Sequence, residues 1–146
     1  MTTTPALPSN EEALAIVEEL VRRASKAESS ARATGDYAEL EAVASSDYVA
    51  EVRTSNDKLA AEGLVVTGDK AIDSLQIQSV VAADSVVVIQ SYGCYDISAT
   101  QLTNGNGENA RSADVPVRVP VVFRLEGIGP DYQLMEALPW SGPSSC

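Results

Sequence analysis

The sequence predicts an α+β fold in which N-terminal helices, one of them long, pack on one face of an antiparallel sheet of four to five strands. As far as Glu62, apolar residues recur at the spacing of an amphipathic helix. From Leu64 onward they alternate instead, with the period of a half-buried strand. Short turns rich in Gly, Asn and Asp separate the alternating segments, so we expect hairpins between neighbouring strands.

A long first helix is predicted from about residue 10 to residue 34. Ser9 and Glu12 have the spacing of a capping box at its start, and Gly35 is a typical residue just past a helix end. Its apolar stripe consists of Leu14, Val17, Val21 and Ala24, widened by Ile16 and Leu20. The helix glutamates are expected on solvated faces, namely Glu11, Glu12, Glu18, Glu19, Glu28, Glu39 and Glu41.

Two more helices are predicted before the strands begin. A short one covers about residues 37–44, and a third covers about residues 47–62. Ser46 is the expected N-cap of the third helix, because a serine side chain can accept a backbone N–H of the first turn. Gly63 is expected to end that helix.

Five strand segments follow, over about residues 64–67, 74–82, 86–98, 117–125 and 132–138. The third segment is apolar on both faces from Val86 to Ile89, which predicts a central position in the sheet. Pro120 lacks a ladder donor and indicates an edge strand or a bulge. A polar loop is expected over about residues 102–114.

The chain divides into a flexible Thr/Pro-rich linker over residues 1–8 and a single α+β domain over residues 9–146. No internal repeat interrupts the second part. We expect that the chain begins after a removed signal or lipid-anchor segment. The alternative is a plain disordered start of a cytosolic protein.

The composition excludes several functions. Ten Lys and Arg against 21 Asp and Glu give a net charge of −11, which disfavours nucleic-acid binding. The chain has no histidine, which excludes Ser-His and Cys-His catalysis and His-ligated metal sites. No apolar run approaches about 18 residues, so we expect no membrane insertion of this chain. No cofactor is expected.

One loop has part of the spacing of a calcium site. Asn104, Asn106 and Glu108 stand at the first, third and fifth positions of such a loop. The sixth position is Asn109 rather than Gly, and the twelfth is Val115 rather than Glu. We therefore interpret the segment as a flexible hairpin loop and expect no metal.

Cys94 and Cys146 are the two cysteines of the chain. In an oxidising compartment they can pair, and the chain-entropy model gives roughly 4 kcal/mol of stabilisation for a loop of that size. We expect this disulfide. The alternative is a cytosolic protein with two free thiols, in which no histidine is present to activate Cys94.

Three segments resemble secreted proteins and lipoproteins of actinobacteria that have no assigned function. They are Tyr92–Thr100, Val119–Phe123 and the ending Pro139–Gly142 with its final Cys146. The order of three helices and a long curved meander, over residues 10–140, resembles the cone-shaped nuclear-transport-factor-2-like fold. The three segments imply an exported domain at the cell surface, joined by its linker to a lipidated N-terminus, and they imply no known reaction.

The expected function is non-catalytic binding of an envelope protein or a small ligand. The alternative, implied by some cone-shaped proteins, is an isomerase- or cyclase-type enzyme. In that case Asp96 would be a general base with a raised pKa and Tyr92 a hydrogen-bond donor. The interpretation we favour is that Asp96 lies near the strand end, where it is exposed or accepts a hydrogen bond from a loop amide. Asp73 is a second carboxylate candidate.

Further aromatic residues are candidates for ligand or interface contacts, namely Tyr48, Tyr95 and Trp140. Trp140 is expected to close the end of the core, or else to form the wall of a binding site. The sheet face that does not meet the helices is apolar enough to need cover. We expect that the tail or a second copy of the chain covers it, and the second possibility predicts a homodimer.

Overall fold

The computed structural model describes residues 4–143 and Cys146. In this part of the chain three helices precede six strands. The helices are α1 (Asn10–Thr34), α2 (Ala38–Val43) and α3 (Ser46–Ala61). The strands are β1 (Val65–Thr67), β2 (Ala71–Ala83), β3 (Val86–Asp96), β4 (Gln101–Thr103), β5 (Arg118–Ile128) and β6 (Asp131–Pro139). The helices pack against a curved antiparallel sheet, which confirms the α+β class.

The expected linker is described only in part, because its first three residues lie outside the described residues. Residues 4–9 precede α1 without helix or strand. The division into a linker and a single domain over residues 9–146 stays a prediction.

Helix α1 begins and ends where the local signals place it. The Ser9 hydroxyl accepts the Glu12 N–H, and the Glu12 carboxylate accepts the Ser9 N–H, both at 3.1 Å. Gly35 adopts a φ of 78°, a left-handed conformation that costs glycine little, and its N–H donates to the Ala31 carbonyl at 2.7 Å. The 25 residues between these caps form a rod about 37 Å long, which is long enough to lie across the sheet.

The N-cap of α3 is Ser45 and not Ser46. Ser45 has the extended backbone of a cap, with φ −68° and ψ 159°, and its hydroxyl accepts the Tyr48 N–H at 3.2 Å. Two adjacent serines offer the same side chain, and the one whose backbone is extended becomes the cap. This cap places Tyr48 in the first turn of α3.

The main sheet has the strand order β2-β3-β5-β6, with each neighbouring pair antiparallel. β3 is interior, as its apolar residues on both faces predict. β1 and β4 form a separate two-stranded sheet, with Val65 opposite Thr103. Leu102 and Thr103, the first two residues of the expected polar loop, thus belong to a strand.

Pro120 lies in β5, which is an interior strand rather than an edge strand. It stands opposite Cys94 of β3, and its carbonyl accepts the Trp140 N–H at 3.1 Å, just past the end of β6. The N–H and C=O of one strand residue serve the same neighbouring strand. The missing donor of Pro120 therefore points to the side where the β6 ladder has already ended.

The main sheet has two unlike faces. The helix face carries the core residues Val87, Ile89, Val121, Phe123 and Leu125, each at most 3% exposed. The buried residues of α1 pack on it, including Ala13, Val17, Val21, Ala24 and Ala31. The outer face carries the alternate residues of the same strands, among them Val88, Gln90, Tyr92 and Cys94 of β3.

Within the described ranges, none of the helices combines the length and the apolar character needed to span a membrane.

Candidate functional site

A group of buried and half-buried polar side chains interrupts the apolar core between α1, α3 and the sheet. Glu28 is 8% exposed and lies at its centre. The Tyr48 hydroxyl donates to Glu28 Oε1, and Lys70 Nζ donates to Glu28 Oε2 at 3.0 Å. The Lys70 ammonium also lies 4.2 Å from the centre of the Tyr95 ring. We call Glu28, Tyr48, Lys70 and Tyr95 the Glu28 cluster.

Three elements and one connection position this cluster. Glu28 stands on the buried stripe of α1, four residues after Ala24 and three before Ala31. Lys70 directly precedes β2. Tyr95 lies near the end of β3 on the helix face, where its ring packs edge-on against Phe123 with centroids 5.4 Å apart.

The electrostatics of the cluster favour one fixed arrangement of protons. Burial, and then the Glu28 carboxylate, raise the pKa of Tyr48 far above its ordinary value, so this hydroxyl stays a donor. Burial also raises the pKa of Tyr95. Burial alone would lower the pKa of Lys70, but its interactions with Tyr95 and Glu28 outweigh burial and raise it. Lys70 is therefore a cation at neutral pH.

A cavity of about 180 Å³ adjoins the cluster on the side of the β3–β4 connection. We call it the cationic cavity, because three cations (Arg32, Lys70 and Arg111) and one carboxylate (Glu28) line it. Its other lining residues are Ser25, Ser29, Val66, Ile97 and Thr100. Cations therefore outnumber carboxylates at this cavity, although the whole chain has ten Lys and Arg against 21 Asp and Glu.

Two other cavities differ in charge. A cavity of about 250 Å³ on the α3 side shares Glu28 and Arg32 with the cationic cavity, and it adds the carboxylate of Glu51. A groove of about 600 Å³ lies between α1 and the β5–β6 hairpin. Three carboxylates and one cation line it, namely Glu19, Glu126, Asp131 and Arg23.

The candidate base of the enzyme alternative does not have the expected environment. Asp96 Oδ1 accepts the Ser98 N–H at 2.9 Å, and the hydrogen bonds from Ser98 lower the pKa of Asp96 instead of raising it. Asp96 is not among the residues that line the cationic cavity. Asp73 pairs with Arg118 on the outer face. A carboxylate with a lowered pKa is a weaker base, which is the opposite of what the enzyme alternative requires.

Tyr92 and Trp140 lie on the outer face, away from the Glu28 cluster. Their rings meet edge-on with centroids 6.0 Å apart, and Trp140 is still 36% exposed. The Trp140 indole N–H donates to the Pro143 carbonyl at 2.9 Å, and Gly142 lies against the indole ring, where a Cβ would collide with it. Trp140 therefore covers Tyr92 and does not close the end of the core.

Cys94 and Cys146 form a disulfide, with their Cα atoms 5.9 Å apart. Arg118 donates to the Cys146 carbonyl at 3.1 Å, and the Tyr92 hydroxyl lies 3.8 Å from Cys146 Sγ. Cys146 is thus fixed to the outer face near the end of β3. The tail supplies part of the cover that this face was expected to need.

In the loop with calcium-like spacing, a side chain accepts hydrogen bonds from the loop's own backbone. Asn104 Oδ1 accepts the N–H groups of Asn106 and Glu108, both at 3.0 Å. Within residues 4–143 and Cys146, no three acidic or cysteine side chains gather in a way that would suit a metal ion.

Two of the three aromatic candidates, Tyr48 and Tyr95, meet in the Glu28 cluster, and Trp140 does not. The sequence analysis did not identify Glu28 and Lys70 as members of the site. The prediction that Glu28 lies on a solvated face was wrong, because Glu28 is buried. The signal was present in the sequence: Glu28 continues the spacing of Val17, Val21 and Ala24. A carboxylate on an apolar stripe indicates a buried polar partner.

Comparisons with known proteins give a likeness in fold only. A scan against protein-family models finds no match, and a search of curated proteins finds none. Among solved structures, the chain is similar to the crystal structure of the intermembrane space region of chloroplast protein ARC6. The TM-score is 0.56 at 19% identity, and the match covers 87% of this chain and 97% of that chain. The likeness shows a shared α+β architecture.

Proposed function

We propose that this protein is a non-catalytic binding domain that holds a small ligand in the cationic cavity. The observation that carries this proposal is the cavity of about 180 Å³ beside the Glu28 cluster. Cavities that combine apolar walls with a few fixed polar groups are typical ligand sites. Val66 and Ile97 provide apolar wall here, and the cluster provides fixed polar groups.

The arrangement of hydrogen bonds supports binding rather than acid-base catalysis. Both oxygens of Glu28 already accept hydrogen bonds, one from Tyr48 and one from Lys70. A general base needs an oxygen that can reach the proton of a substrate. Asp96, the base of the alternative reading, has a lowered pKa.

The proposed setting is the cell envelope, with the domain exported and tethered at the cell surface by its linker and a lipid anchor. The disulfide supports export, because such bonds persist in oxidising compartments. The assignment to the nuclear-transport-factor-2-like cone belongs to this proposal as well, and the helices packed on one face of a curved sheet support it.

The test is a titration of the oxidised, isotope-labelled protein with a library of small molecules, followed by amide NMR shifts. We expect shifts that cluster at Ser29, Arg32 and Thr100. The variant Ser29→Trp fills the cavity and should abolish binding, whereas Ser30→Trp adds the same ring to an exposed position of the same helix and should not. Shifts that persist in Ser29→Trp, or the absence of any binding, would refute the proposal.

A second candidate function is self-association through the outer face, which gives the expected homodimer. The observation that favours it is the exposure of Val81 (48%), Leu138 (52%) and Trp140 (36%). Sedimentation velocity over a range of concentrations tests this candidate. Leu138→Glu should dissociate a dimer, and Leu7→Glu, an equally exposed leucine before α1, should not. A monomer at all concentrations would exclude the homodimer.

A further inference from the structure

The arginines of the chain divide sharply by their partners. Five of the seven form ion pairs with carboxylates, namely Arg22, Arg23, Arg53, Arg118 and Arg124. Within the described residues, the two that form no ion pair are Arg32 and Arg111. Both of them line the cationic cavity. The chain has 21 Asp and Glu side chains, so two arginines without a carboxylate partner at the same cavity need a physical explanation.

The backbone and hydroxyl groups around the β3–β4 connection hold Arg111 in place. Its guanidinium donates to the carbonyls of Ile97 and Thr100, at 3.4 and 3.1 Å, and to the Thr100 hydroxyl at 2.5 Å. These acceptors are neutral, so they orient the guanidinium without cancelling its charge. Such a fixed, uncompensated arginine is prepared to receive an anion.

Arg32 faces the cavity from α1. Its guanidinium donates to the hydroxyl of Ser29 at 3.5 Å, which is also a neutral partner. The proximity of Arg32 opposes the protonation of Lys70, so the cations are close enough to interact. Lys70 is already neutralised by Glu28 at 3.0 Å. The two positive charges in excess therefore belong to Arg32 and Arg111.

We propose that Arg32 and Arg111 form a site for a small oxyanion, a ligand that carries a carboxylate or a phosphate group. This inference rests on the proposed function and names its ligand class. A planar guanidinium matches the oxygen geometry of both groups. The cavity of about 180 Å³ admits a small ligand of this kind, since one water occupies about 30 Å³ of liquid volume.

The probes are inorganic phosphate, sulfate and acetate, and isothermal titration calorimetry and amide NMR shifts are the measurements. We expect at least one probe to bind, with shifts at Arg32, Thr100 and Arg111 and with an affinity that falls as sodium chloride is raised. Arg32→Gln should weaken that binding at least tenfold. Arg22→Gln, on the same helix but outside the cavity, should leave it unchanged. Tighter binding of phosphate than of acetate would indicate a phosphate-bearing ligand, and the reverse would indicate a carboxylate.

A second variant, Arg111→Lys, keeps the charge but loses the planar fork, and we expect an intermediate loss of affinity. Equal effects of Arg32→Gln and Arg22→Gln would overturn the inference. If neutral compounds bind in the cavity but phosphate, sulfate and acetate do not, the binding function stands and the oxyanion inference fails. If no compound of any charge binds, the proposed function fails together with it.

Discussion

The two faces of the main sheet are held by different means. On the helix face, Phe123 and Leu125 are fully buried among side chains of the helices, so cohesion comes from close packing over a continuous core. On the outer face, cover is local: one disulfide and a short tail protect Tyr92 and Cys94. The fold therefore depends on packing over the helix face, whereas the cover of the outer face depends on one disulfide.

The largest effect should come from a cavity on the helix face. Phe123→Ala removes a fully buried ring that packs on Tyr95, and we expect a loss of about 3–5 kcal/mol in the free energy of unfolding. Denaturant unfolding followed by circular dichroism measures it. Val122→Ala, the next residue on the outer face, is the matched control and should cost under about 1.5 kcal/mol. Similar costs at both positions would remove the distinction between the faces.

The next largest effect should come from removing the disulfide on the outer face. The double variant Cys94→Ala with Cys146→Ala removes a bond between residues 52 apart, and the chain-entropy model gives a loss of about 4 kcal/mol. Chemical denaturation of the variant against the oxidised wild type measures this loss. We expect the amide NMR shifts of α1 to stay unchanged. Large shifts in α1 would show that the disulfide also affects the structure of the helix face.

A smaller effect is expected at the Glu28 cluster. Tyr48→Phe leaves a buried oxygen of Glu28 without its donor, at a cost of about 1–3 kcal/mol. Tyr37→Phe, which removes a hydroxyl that accepts from Asn56 in a less buried place, is the matched control.

The same variant carries a pH dependence. The folded-state pKa of Tyr48 is raised, so the stability it contributes is complete below the unfolded-state pKa of about 10 and declines as pH rises above that value. Denaturation midpoints between neutral pH and pH 11 should therefore fall more steeply for the wild type than for Tyr48→Phe. Parallel curves would show that the ionisation of Tyr48 is not linked to folding.

The smallest effect is expected in the exposed part of the outer face. Leu138 is 52% exposed, so Leu138→Ala should change the free energy of unfolding of the monomer by about 0.5 kcal/mol or less. Thermal unfolding at low protein concentration measures this change. A loss of several kcal/mol would mean that a partner covers Leu138, and it would favour the second candidate function.

The fold was predictable where its signals are local. The capping box at Ser9 and Glu12 and the left-handed Gly35 each act within one turn, so the sequence alone placed both ends of α1. β4 was not predictable, because its three residues gain their hydrogen bonds from β1, which lies far away in the chain. Tertiary pairing, rather than propensity, decides such a short strand.

The site was predictable only in part, for a related reason. Tyr48 and Tyr95 were identified as aromatic candidates, but the cation that pairs with Glu28 is Lys70, which lies just before β2 and 42 residues away. Sequence spacing gives the stripe on which Glu28 lies, and it does not give the partner across the core. The same limit applies to Arg32 and Arg111, which line one cavity although they are far apart in the chain.

The disulfide also determines how the domain would respond to tension. A pull applied at Cys146 reaches β3 directly through the covalent bond, without passing through β6 or β5. The segment between the two cysteines, which would span about 180 Å when fully stretched, cannot lengthen while the bond is intact. In the oxidised protein β3 is the mechanical attachment point, and β5 and β6 are shielded from the load.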